Sequence, residues 1–168
     1  MRGPLLVCPC VAVIFELFNE AHSISWKTWK DGGNLRDDKG ADVNAKENNE
    51  AATSDGGYDL SGLSERYELK DREGGHGIVY ASHIYPWKSD WQGKMLDAAA
   101  KHPIFIGEVG CPESWDDFSF IPKSAQKEKL GPDCPWPADM LGLIQKHKLH
   151  WTGFSFHPKS GPPILTDW

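Results

Sequence analysis

Four stretches of this chain are dense in apolar residues, and each closes on polar ones. Val11 to Glu20 (VAVIFELFNE) is an almost continuous run of β-branched and aromatic residues ending in Asn19 and Glu20. Gly77 to Pro86 (GIVYASHIYP), Pro103 to Gly110 (PIFIGEVG) and His150 to His157 (HWTGFSFH) share that character. Runs of this kind predict strands covered on both faces in a parallel sheet. Trp91, Met95 and Ala98 to Ala100 recur at helical spacing and predict an amphipathic helix over Asp90 to His102, which Pro103 closes. Met140, Leu141, Leu143 and Ile144 predict a second helix at about Pro137 to His147. Strand, helix, strand, helix, strand is the order of an α/β domain built from (β/α) units.

The rest of the chain patterns weakly. From Asp31 to Gly57 the composition turns to Asp, Asn, Lys, Glu, Gly and Ala, with Leu35 and Val43 the only large apolar residues. The segment 31–57 is expected to be an irregular or disordered insert, because it has too little apolar surface to offset the entropy of ordering it. Tyr58 to Lys70 regains Tyr58, Leu60, Leu63, Tyr67 and Leu69 and reads as a short helix or a rim loop. The whole, 1–168, is expected to form one domain.

Composition narrows the function classes. A formal net charge of −6 and 25% charged residues argue against nucleic-acid or anionic-membrane partners. No run approaches the roughly 18 apolar residues of a membrane span. Met1 to Cys10 superficially resembles a signal peptide, but its apolar run continues into the strand ending at Glu20, so cleavage there would remove the site. The chain holds 8 Trp, enough indole to stack on flat apolar faces such as sugar rings, although some of it must fill core. Of the 4 Cys, Cys8 and Cys10 are too close to bridge comfortably, while Cys111 and Cys134 flank a loop and suit a disulfide if the protein is secreted. Neither pair has metal-site spacing. His147 and His150 are three apart, and exposed histidines beside a helix C-terminus are the commoner reading than a chelate.

The C-terminal strand edge of a parallel α/β fold is where ligands bind. It is expected to present Glu20, then His83 and Tyr85, then Glu108, then His157. Two carboxylates on one rim suit glycoside hydrolysis, in which one donates a proton to the leaving oxygen and the other, ionised, faces the anomeric carbon. Phenol and imidazole can orient a carboxylate without adding a permanent charge. Trp87, just past Pro86, offers a ring either to a sugar or to packing. Glu16 lies on the same side of its strand as Glu20 and reads as structural.

Together Phe15-Glu-Leu-Phe-Asn-Glu20, His83-Ile-Tyr85, Ile106-Gly-Glu108 and the aromatic strand Trp151 to His157 resemble glycoside hydrolase family 5, the cellulase-type (β/α)8 barrels. The resemblance covers about two thirds of the chain and matches strands four, six, seven and eight of that barrel. It implies a partial TIM barrel and a retaining mechanism, with Glu20 as acid/base and Glu108 as nucleophile. It further implies that Asn19 bonds the sugar 2-hydroxyl, Tyr85 donates to Glu108, His83 lines the same subsite, and no cofactor takes part. Phe156 or His157 falls near the family's strand-eight platform, which is commonly Trp. The implied partner is a β-linked polysaccharide or oligosaccharide, cellulose-type glucan first and mannan second, and the family's full-length enzymes are secreted.

Strands one to three and five have no counterpart here. A whole barrel needs about 250 residues, and an open remnant exposes strand edges and apolar faces. Marginal stability or aggregation is therefore expected unless the missing barrel half or a second copy completes the chain. Two alternatives stand beside the hydrolase: a carbohydrate-binding remnant that has lost turnover, and a fragment without function. Retention of both glutamates argues against the first, because a pure binder needs no carboxylate pair.

Overall fold

The computed structural model describes residues 26–31, 34–36, 42–44, 57–71 and 77–168. The predicted strand Val11 to Glu20, with Cys8, Cys10, Glu16, Asn19 and Glu20, lies outside them. The elements are α1 (Trp26–Asp31), β1 (Asn34–Arg36), β2 (Asp42–Asn44), α2 (Ser61–Glu65), β3 (Tyr80–Ile84), a π-wound segment Gln92–Leu96 continued by α3 (Asp97–Ala99), β4 (Ile104–Val109), α4 (Trp136–His147) and β5 (His150–Gly153). Two short 3-10 turns, Asp116–Phe118 and Lys123–Ala125, interrupt the loop between β4 and α4.

β3, β4 and β5 form a parallel sheet in that order, the arrangement expected of successive (β/α) units. The barrel is not closed by the described residues. One face of the sheet is packed: Tyr80 and Ile84 of β3 and Ile104 and Ile106 of β4 share a core with Met95, Leu96 and Ala98, with Trp136, Met140 and Ile144 of α4, and with Tyr58, Leu60 and Leu63. These positions alternate along the strands, as a period of two requires. Ser82 takes its turn on that buried face, and its hydroxyl is satisfied by donating to the Tyr58 carbonyl at 3.0 Å. Ile106 is fully buried in this cluster. Its truncation to Ala is expected to cost about 2–5 kcal/mol, read as a lower urea midpoint at unchanged slope.

The second predicted helix is in place. α4 has Pro137 in its first turn and ends on Lys148 in the left-handed conformation, with Lys146 and His147 favourably placed in the last turn. The first predicted helix is wound differently, its opening half being π rather than α. The last strand is shorter than the sequence predicts. Its backbone leaves β4 after Phe154, because Ser155 turns its N–H to Pro162 and its carbonyl to Ile164. β5 is exposed at every position, and no strand pairs with its outer edge among the described residues. Within the stretch expected to be irregular, β1 and β2 pair antiparallel with Leu35 opposite Val43. Among the described residues no helix is long and apolar enough to cross a membrane.

Candidate active site

Simple alternation would aim Glu108 wrongly. Ile104 and Ile106 face the helices, so a regular strand would send Glu108 into the same apolar layer. A bulge prevents this. The β3–β4 register runs Ser82 to Ile106 and then His83 to Glu108, leaving Gly107 as the extra residue. The β4–β5 ladder shifts across the same place, between Ile106 and Val109. Gly107 shares the face of Ala81 and His83: a Cβ there would stand 3.1 Å from His83 Nε2 and 3.9 Å from the Ala81 methyl. The Gly107 carbonyl accepts from the Thr152 hydroxyl of β5. Both Gly107 and Glu108 therefore turn away from the helices, and Glu108 meets the residues of β3.

The Tyr85 phenol donates to Glu108 Oε2, and His83 Nδ1 lies 3.4 Å from the same oxygen. The His83 side chain is 3% exposed and that of Glu108 is 15% exposed, so the carboxylate opens towards solvent past a buried imidazole. Tyr85 is itself buried and held from two sides. Trp87 stacks on it with ring centroids 4.6 Å apart and planes 5° from parallel, and Phe154 meets it edge-on at 6.3 Å. Phe118 and Trp115 of the following loop close on Trp87 at 5.4 and 6.3 Å. One face of Trp87 is thus covered by Tyr85.

Such a group can act as an aimed nucleophile. One of its oxygens is fixed by a hydroxyl donor. Of the residues singled out in the sequence, His83, Tyr85, Trp87 and Glu108 are brought together, while Asn19 and Glu20 lie outside the described residues. His157 is not at the strand end but in the exposed segment beyond it, where its ring packs edge-on against Trp168 and its Nδ1 accepts from the Lys159 N–H. Phe156, in the same segment, is exposed. His147 and His150 are exposed, and no group of three potential metal ligands occurs among the described residues. Sequence reasoning missed Gly107 and Thr152. A glycine inside a strand pattern was the available signal for the bulge.

No family model matches the sequence, and no curated protein matches it. Two solved structures do resemble it, both of β-glucanase SdGluc5_26A from Saccharophagus degradans. The native form gives a TM-score of 0.52 at 23% identity, and the complex with cellotetraose gives 0.51 at 22%. The fold is similar to part of a β-glucanase. Each match covers 70% of this chain and 34% of the glucanase chain, so this chain spans about a third of the enzyme it resembles. The likeness is one of fold. It agrees with an α/β unit holding a small parallel sheet.

Proposed function

We propose that this chain carries the C-terminal half of the catalytic apparatus of a retaining glycoside hydrolase of the family 5 type, acting on a β-linked glucan. The observation that carries the proposal is the Glu108 carboxylate, turned by a bulge onto the mouth of a parallel sheet and held there by Tyr85 and His83. In this reading Glu108 attacks the anomeric carbon while Glu20 protonates the departing oxygen. The glycosidic C–O bond breaks and an ester to Glu108 forms. Glu20, now ionised, then takes a proton from water, whose oxygen displaces Glu108 and releases the sugar with its original configuration. The pair must come within about 5–5.5 Å for this chemistry. Asn19 binds the 2-hydroxyl, and no metal or cofactor is called for.

Glucan takes precedence over mannan because the similar enzyme was crystallised with cellotetraose. The exposed β5 edge supports a second element of the proposal: the active form is completed by the remaining barrel strands or by another copy of the chain. The test is incubation of the chain, at rising protein concentration, with cellotetraose while products are followed by proton NMR. The expected first product is the β-anomer, with a rate per chain that rises with concentration. A first-formed α-anomer overturns the retaining mechanism, and absence of cleavage at every concentration overturns completion of the active form by another copy of the chain.

A further inference from the structure

The loop between β4 and α4 carries Trp115 and Phe118 onto Trp87, behind the tyrosine that holds Glu108. Its two ends are marked by cysteines. Cys111 follows β4, Cys134 precedes α4, and their Sγ atoms lie 3.9 Å apart as free thiols. Both are half-buried and packed against the main core. Cys134 is further fixed by donating its N–H to the Gly131 carbonyl at 3.0 Å. A disulfide needs an S–S distance of about 2.05 Å, so closure requires each sulfur to move by only about an ångström and leaves the loop anchored where it already stands. Inside the loop the Trp115 indole N–H donates to the Glu128 carbonyl at 3.0 Å, and Gln126 donates to the Ile121 carbonyl at 2.9 Å. These local bonds join parts of the loop to one another, whereas a sulfur bridge would join its two ends.

We propose that Cys111 and Cys134 form an oxidisable dithiol site, closed by a low-molecular-weight disulfide such as oxidised glutathione, which latches the aromatic loop onto Trp87 behind Tyr85. One cysteine thiolate attacks a glutathione sulfur and expels glutathione thiolate. The second cysteine sulfur then attacks the mixed disulfide and expels the other glutathione. The two cysteines are oxidised, the glutathione disulfide is reduced, and the two thiol protons end on the two glutathione molecules. Burial first, and then the neighbouring Cys134 and Glu128, pushes the Cys111 thiol up to about 12, so closure quickens as pH rises towards alkaline values.

This inference does not depend on the hydrolase reading, and its test involves no sugar. The full chain is treated with oxidised glutathione in native buffer and in urea, remaining thiols are alkylated, and unreduced peptides are mapped by mass spectrometry. Trypsin digestion is timed in parallel, since Lys123, Lys127 and Lys129 lie exposed within the loop. The expected result is selective linkage of Cys111 to Cys134 in the native chain, against scrambled pairings with Cys8 and Cys10 in urea. Cutting at the three lysines should slow several-fold and recover on reduction, and the Cys111→Ser, Cys134→Ser double variant should be cut at one rate with or without oxidant. Persistent glutathione adducts on Cys111 or Cys134, the same scrambled pairings in native buffer, or a linked loop cut as fast as the open one would each overturn it.

Discussion

Glu108→Gln is expected to lower hydrolysis by roughly 10⁴-fold or more on every substrate, because the amide cannot form the glycosyl ester. Glu20→Gln should behave differently. With a poor leaving group it should cost about 10²–10⁴-fold, the range of a lost general acid. With a dinitrophenyl glycoside, whose oxygen departs without a proton, formation of the ester should proceed at close to the parent rate. The burst of dinitrophenol and kcat/KM on the two substrate types check both statements, since the second step, which also needs Glu20, limits kcat in that variant. Equal losses for the two variants on both substrates would refute the assignment of roles.

Tyr85→Phe is expected to lower kcat by about 10–150-fold with little change in KM. The phenol supplies a hydrogen bond to a charged acceptor, a contact of about 1.5–3 kcal/mol, and that converts to the stated factor if it is felt in the transition state. Phenylalanine keeps the stack on Trp87 and the edge contact with Phe154. The unfolding midpoint should therefore move far less than the rate. A variant with unaltered kcat would show that the phenol does not position the carboxylate. A large drop in the midpoint would show that its role is structural.

How far the sequence can be read depends on which kind of signal each feature carries. β3 and β4 were legible because a parallel strand buried on one face and walled on the other has to be written in β-branched and aromatic residues, and Tyr80–Ile84 and Ile104–Val109 fall inside the predicted runs. α4 was legible from its apolar spacing, Met140, Leu141, Leu143 and Ile144 falling inside Trp136–His147. The meeting of His83, Tyr85 and Glu108 was legible as a common strand edge, but not the means. Alternation alone points Glu108 at the helices, and only the register shift at Gly107 brings it round. The end of β5 was illegible, because Phe154 to His157 keeps the composition of a strand while Ser155 bonds to Pro162 and Ile164 instead of β4. Leu35 and Val43, the only large apolar residues of their stretch, stand opposite each other in a ladder, a relation that composition cannot express.

The most direct measurement is covalent trapping of the proposed nucleophile with a dinitrophenyl 2-deoxy-2-fluoro-cellobioside, followed by peptide mass spectrometry. One fluorosugar per active site is expected, on the peptide containing Glu108, and none in Glu108→Gln. A label on a different carboxylate would contradict the role of Glu108 as nucleophile, as would an active preparation that turns over glucan and takes no label at all.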